Sequence, residues 1–297
     1  MAALMAPAKG TINAWTGPAA GLAVEELETE LLLEALFQRF GYDFRSYDRL
    51  VLRRRLGEVQ GTVGAATLSA LLERVLHAPG ASSTVLRALS VAPGTLFDDP
   101  AHAARLRMLL APALRGWPLP KVWIAECAGV GEAWTLAIVL AEEGALERAE
   151  IHATLANEEL VAEMQDARLP VADLEAMRAR HAASRGGGTS GGNARLEDYF
   201  EIEDGMARLL PQLRRRITWS QYSLATDASF NEFQAIVCRQ ALPDFGPLLR
   251  QRVLRLFYDS LARFGLLCLD RPLAMSDAHA GRYQAVSGDI AWYKRVG

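Results

Sequence analysis

From Val24 onward, apolar residues recur every three to four positions. The stretch "VEELETELLLEALFQRF" predicts an amphipathic helix that stops at Gly41, and "SYDRLVLRRRLGEV" and "TLSALLERVLHA" repeat the pattern. These segments predict a helical module over residues 23–98. Before it, residues 1–22 are punctuated by proline and glycine without periodicity, which predicts a flexible arm. The helical period breaks at "APG". Asp98 and Asp99, placed before Pro100, predict a new helix start, with capping as the ordinary use of those carboxylates.

Beyond Lys121 the pattern shortens. "KVWIA" reads as a buried strand, "GEAWTLAIVLAEEGAL" as a helix and "AEIHATLA" as a second strand with a helix behind it, an order that predicts a parallel sheet. "SRGGGTSGGN" reads as a linker, since no strand precedes it and no Lys-Ser/Thr pair follows it, as a phosphate loop requires. Further strands are predicted in "RITWSQYSLA" and "FNEFQAIVCRQALPDF", then a helix with a strand in "LLRQRVLRLFYDSLARFGLLCLDRPL", and a last strand pair in "RYQAVSGDIAWYKRV". Trp123, Leu136, Ile138, Phe233, Ile236, Leu266 and Leu267 fall where such a sheet and its helices need a core.

Composition narrows the functional classes. The 297 residues are 51% apolar and 23% charged with a net charge of −3, so no general attraction to nucleic acid is expected. Cys127, Cys238 and Cys268 have no metal-ligand spacing and an odd count, which reads as buried thiols in a reducing cytoplasm. The five histidines likewise show no ligand spacing, and no metal is expected. The first residues lack a basic start followed by an apolar core, and no apolar run approaches the ~20 residues that span a bilayer. Neither secretion nor membrane insertion is indicated.

Several stretches, in order from about Leu31 to Lys294, together resemble the CheR-type chemotaxis receptor methyltransferases. They are "GYDFRSYDRLVLRRRL", "LRALSVAPGTLFDDP", "KVWIAECAGVGEAWTLAIVL", "IHATLANEELVAEM", "LEDYF", "ITWSQYSLAT" and "FQAIVCRQALPDF". The resemblance implies an α/β fold: an all-helical N-terminal domain, then a Rossmann-like S-adenosylmethionine (SAM) methyltransferase sheet over 99–297 with a small β-subdomain inserted at about 166–220. It also implies methyl transfer from SAM to receptor glutamates.

The residues that the family uses for that chemistry are largely replaced here. Where the family's junction reads Thr-x-Asn-x-Thr-x-Phe-Phe-Arg, this chain has Ala92, Gly94 and Asp98 at the asparagine, threonine and arginine positions. The last exchange puts an anion where a substrate carboxylate would approach, and like charges left unpaired there are costly. Against the family's cofactor loop, Gly-Cys-Ser-Thr-Gly-Glu-Glu-Pro-Tyr, an ungapped match puts Glu126 at the first glycine, Gly129 at the threonine, Val130 at the second glycine and Gly131 at the first glutamate. Only Cys127 and Glu132 persist. Val130 resists any positive φ the turn requires, whereas a shift of one residue lets Gly129 and Gly131 restore it. Leu155 stands for the ribose-binding acid, with Asn157 as a poorer substitute. Ser223-Leu224 replaces Asn-Leu, and in "CRQALPDF" Arg239 persists while Gln240 and Asp244 replace asparagine and tyrosine.

A fold that keeps its core while its site is replaced predicts a relative without catalysis, with no cofactor, acting as a binding module for a bacterial signalling protein. The alternative is an active protein-glutamate methyltransferase binding SAM or S-adenosylhomocysteine, with Glu126, Asn157 or Gln240 taking over lost contacts. A third reading is a pocket for another nucleotide, such as a cyclic dinucleotide, built from Arg239, Arg271 and the Arg214–Arg216 cluster. Arg45, Arg49, Arg53, Arg54 and Arg55 resemble the family's basic docking helix and would face an acidic helical surface; pairing with local carboxylates is the other reading of that run.

Overall fold

A computed structural model describes residues 23–127, 129–185, 194–286 and 291–297. The arm expected over 1–22 and most of the glycine-rich linker lie outside the described residues. Four helices build the N-terminal module: α1 (Val24–Phe40), α2 (Arg49–Val63), α3 (Leu68–His77) and α4 (Ala81–Leu89). Gly41 ends α1 in the left-handed conformation, and Asp48 caps α2 by accepting from the Leu50 and Val51 amides. The leucines at helical spacing, Leu32, Leu33, Leu36, Leu52, Leu56 and Leu71, meet in one buried cluster.

The chain then crosses by Val91–Asp99 into the second domain. Asp99 caps α5 (Pro100–Arg105), which runs through one π-turn, Leu106–Leu110, into α6 (Ala111–Leu114). The main sheet follows with its crossovers: β1 (Lys121–Ile124), α7 (Val130–Glu142), β2 (Glu150–Leu155) and α8 (Glu158–Gln165). A short β3 (Leu169–Pro170) and α9 (Val171–Ser184) precede β4 (Phe200–Glu203) and β5 (Met206–Leu209). The remaining elements are α10 (Pro211–Arg214), β6 (Ile217–Gln221), β7 (Phe233–Cys238), α11 (Pro247–Ser260), β8 (Leu261–Leu269), β9 (Tyr283–Ala285) and β10 (Trp292–Arg295).

The large sheet has the order β6-β2-β1-β7-β8-β10-β9. Pairings from β6 to β8 are parallel, and β10 runs antiparallel to both its neighbours. Trp123 sits at the centre in register with His152 and Ile236, fully buried, its indole N–H donating to Thr154 Oγ1 at 2.8 Å. The core residues expected from the pattern are all buried. A separate antiparallel sheet has the order β3-β5-β4. Its last strand ends at Leu209, and β6 belongs to the main sheet, so the insertion stops short of the residue-220 limit expected from the sequence. The strand at 217–221 pairs in parallel with β2 as the edge of that sheet, with Ile217 its one buried residue.

The two domains are clasped directly. Tyr47 forms an antiparallel bridge with Phe245 and packs edge-on against its ring at 5.0 Å, while the Asp48 amide donates to the Asp244 carbonyl at 2.8 Å.

Candidate functional site

In a parallel sheet the strand order reverses at one point, and here that point lies between β1 and β7. Ligands of such sheets bind beyond the carboxyl ends of the strands at that crevice. Six of the expected site residues meet there: Gly94, Asp98, Glu126, Glu132, Arg239 and Gln240 line one cavity with Ile124, Ala125 and Val237. Its volume is about 30 Å³. That is room for a single water, and small-molecule pockets are roughly ten times larger.

Arg239, delivered by the end of β7, is the hub. Its guanidinium lies 2.9 Å from Glu132, 3.0 Å from Asp99 and 3.8 Å from Asp98. The charge inversion at Asp98 is therefore compensated, contrary to the expectation of an unpaired like charge: the family's other cation, Arg239, has become its partner. Asp99 uses one oxygen to cap α5 at the His102 amide and the other on Arg239. His102 Nε2 lies 2.7 Å from Glu132 Oε1, and Cys268 Sγ lies 4.0 Å from His102 Nδ1. His102 escaped the sequence reading; its place three residues after the cap Asp99 was the available signal.

The cofactor loop achieves its turn by a different set of residues from those expected. Glu126 takes a positive φ of 54° and Gly129 one of 84°, while Val130 is the first residue of α7 and bears no such strain. Gly131 is needed for close approach. A Cβ there would lie 2.7 Å from the carbonyl carbons of Gly94 and Thr95, and closer still to the Gly94 oxygen. The family's glutamate at this position could not accommodate that linker. Gly94 in turn leaves the space into which Asp98 folds, because a Cβ on it would lie 2.7 Å from Asp98 Oδ2. The replacements are thus complementary: glycine at 94 and 131 and aspartate at 98 let the linker lie on the mouth of the crevice.

The remaining expected positions do not converge on it. Leu155 and Leu224 are core residues, 2% exposed each. Asn157 caps α8, its side-chain oxygen accepting from the Glu159 amide at 3.0 Å, and Ser223 offers its amide to Asp227. Ala92 points into solvent. Asp244, in place of tyrosine, holds Arg55 at 2.6 Å, and Arg55 also donates to the Leu89 carbonyl. Arg55 is thereby turned inward rather than toward a partner. Arg45 pairs with Asp43 and Glu34, Arg49 with Glu30 and Arg53 with Glu26, so the basic run is largely matched within its own module.

The arginines of the nucleotide reading are split by the sheet. Arg239 and Arg271 follow the carboxyl ends of β7 and β8, whereas Arg214–Arg216 precede β6, at the amino edge. One ligand site cannot use both groups. Among the described residues no cluster of three or more His, Cys, Asp or Glu side chains could hold a metal, and no helix is long and apolar enough to cross a membrane. All three cysteines are free and buried.

Burial opposes ionisation of Glu132, but the neighbouring His102 and Arg239 outweigh it and hold the carboxyl at about 2. Burial likewise opposes that of Glu142, outweighed by His181, Arg107 and Arg185, to about 2. Both groups are depressed from 4.5, so their stabilisation is present above that value and is lost as pH falls toward 2. Each contributes on the order of 3 kcal/mol. Denaturant titration at pH 6, 4 and 3 is expected to show a steep loss below pH 4.5, diminished in Glu132→Gln.

A helical module followed by a mostly parallel sheet opening on a glycine turn, with a small antiparallel sheet inserted, defines a methyltransferase fold with an all-α N-terminal domain. Sequence comparison agrees: residues 27–90 match the CheR methyltransferase all-alpha domain and residues 96–291 the CheR methyltransferase SAM binding domain. The chain is 36% identical over 244 residues to the putative methyltransferase Cher3 of Pseudomonas putida, covering 82% of this chain and 87% of that protein. It therefore belongs to the CheR methyltransferase family. A second relative, an uncharacterized 104.1 kDa protein of Rhodobacter capsulatus, is 26% identical across 76% of this chain but only 23% of its own length. Among solved structures, the glycopeptide N-methyltransferase MtfA complexed with sinefungin overlaps 56% of this chain and 49% of its own, at 15% identity and a TM-score of 0.33.

The family's donor, SAM, needs space for an adenosyl group and an acceptor for its ribose. In this crevice the Gly94 backbone lies against Gly131, and the side chain at the position of the family's ribose acid, Leu155, is apolar.

Proposed function

We propose that this protein is a CheR-family fold that does not use SAM and serves as a protein-interaction or ligand-binding module in bacterial signalling. One observation carries the reading. The crevice at the sheet's switch point is filled by the chain itself, with Asp98, Asp99 and Glu132 on Arg239 and a cavity of about 30 Å³ left over. Opening it for a cofactor would require breaking those ion pairs and lifting the Gly94 backbone from Gly131.

A second reading, an active SAM-dependent protein-glutamate methyltransferase, draws support from Glu126. Its carboxyl accepts from the Ala156 amide at 3.4 Å, beside the β2 end where the family's ribose acid stands. Calorimetric titration with SAM and S-adenosylhomocysteine separates the two readings. No heat is expected, while a CheR family member with an intact site, run in parallel, gives a normal isotherm. Binding tighter than about 100 μM would replace the first reading by the second.

A further inference from the structure

The large sheet is open along β6. The Ile151 amide donates to the Arg216 carbonyl at 2.8 Å and the Tyr222 amide to the Leu155 carbonyl at 3.0 Å, so the even-numbered residues of this stretch bond to β2. The alternation of a parallel ladder then turns the amides and carbonyls of Ile217, Trp219 and Gln221 away from the sheet. Among the described residues nothing bonds to those groups. Burial does not cover the strand either: Thr218 and Gln221 are exposed, and Trp219 and Ser220 are half-buried.

Proteins guard such an edge by brevity, proline, charge or a bulge, and the other edges of this chain are guarded. β9 has three residues, β3 has two and ends in Pro170, and β4 carries Glu201 and Glu203. β6 reads Ile-Thr-Trp-Ser-Gln, without proline or charge, and keeps continuous register with β2 over its whole length. Residues of this β-branched and aromatic kind favour strand pairing. Beside it lies a cleft of about 270 Å³, lined by Ile217, Trp219, Trp134 and Met164 among others.

The charges at the two ends of β6 complement each other across a two-fold axis. Just before it, Arg215 and Arg216 have no carboxylate partner among the described residues. Just after it, the Asp227 carboxylate accepts from the Ser223 amide at 2.9 Å and the Thr226 hydroxyl at 3.0 Å, while Arg252 reaches only the Asp227 backbone carbonyl. An antiparallel pair centred on Trp219 sets Ile217 opposite Gln221 of a second copy. It also brings Arg215 level with Ser223 of that copy, and so to the Asp227 carboxylate held there. The two-fold axis repeats the contact at the other end.

We propose that β6 is a self-association edge: two copies pair antiparallel across Trp219 and join their large sheets into one, with the two Trp219 rings side by side over the clefts. The pairing meets every outward amide and carbonyl of 217–221, and adds an aromatic cross-strand pair and two Arg215–Asp227 ion pairs. None of these contacts involves the crevice, so dimerisation is independent of SAM.

Sedimentation equilibrium of the full chain at about 1 to 100 μM tests this, and a concentration-dependent dimer is expected. Gln221→Pro removes one outward amide from each copy and spares the ladder to β2; it should raise the dissociation constant about tenfold or more. Arg215→Glu, at an exposed side chain, should raise it about fivefold by setting like charges together. Adding Asp227→Arg to Arg215→Glu should restore the dimer, because the swapped charges meet again only in this register. A monomer at every concentration overturns the proposal. So does a dimer that Arg215→Glu leaves unchanged, or one that the charge swap fails to restore. The charge-swap series alone decides the matter if Gln221→Pro does not fold.

Discussion

Arg239→Met is expected to lower the free energy of unfolding by about 3 kcal/mol or more at neutral pH. The Arg239 side chain is 17% exposed, and its guanidinium is shared by Glu132, Asp99 and Asp98. Removing it strands three carboxylates at one place, and a broken, largely buried ion pair costs more than the pair itself contributes because the survivors keep their charge. Methionine retains much of the stem's apolar contact, so the loss reports the charge. Adding Asp98→Asn and Asp99→Asn to the methionine variant should recover a large part of the stability, since neighbours sharing one partner are not additive. A loss below about 1 kcal/mol in chemical denaturation would show that Arg239 does not hold the cluster.

The second large effect concerns Gly131. In the first turn of a helix, Gly→Ala ordinarily stabilises by up to about 1 kcal/mol. At Gly131 the sign should reverse, with a loss of about 2 kcal/mol, because the new methyl would meet the Gly94–Thr95 backbone and a peptide plane cannot rotate away as a side chain does. Gly57 and Gly61 in α2 have no atoms within 4 Å of an added Cβ and serve as controls expected to gain stability. Limited proteolysis adds a local readout: Val91–Asp99 should become cleavable in Gly131→Ala and not in the controls. A stable Gly131→Ala protein with an intact linker would mean the linker does not rest on α7.

The scaffold was legible because its signals are local. Heptad-like leucines, the stop at Gly41, the Asp99–Pro100 helix start and the β-branched run at Lys121 each determine their own neighbourhood, and the structure follows them. The resemblance to the CheR family added the order of domains. What could not be read was compensation between distant residues. Asp98 meets Arg239 across 141 positions of chain, and Asp244 meets Arg55 across 189. Read singly, each exchange is a loss; only the fold shows that Gly94, Asp98 and Gly131 fit one another, or that Arg55 points inward. His102 and the Glu142 cluster were missed for the same reason, because their partners lie on other elements: Glu132 for His102, and Arg107, His181 and Arg185 for Glu142.

The linker Val91–Asp99 is the covalent passage from the helical module to the sheet, and it is also the segment lying across the crevice. A rotation of the module about its clasp has to be absorbed by those nine residues, whose far end is tied to Arg239 and whose middle rests on α7. Phe97, held at a φ of 52° with its amide on Thr135 Oγ1, leaves little slack to absorb it. The geometry makes the hinge and the lid one piece of chain. Torque applied to α1–α4 and displacement of the plug would be the same coordinate, so a molecule gripping the outer helices would do mechanical work on the crevice without entering it.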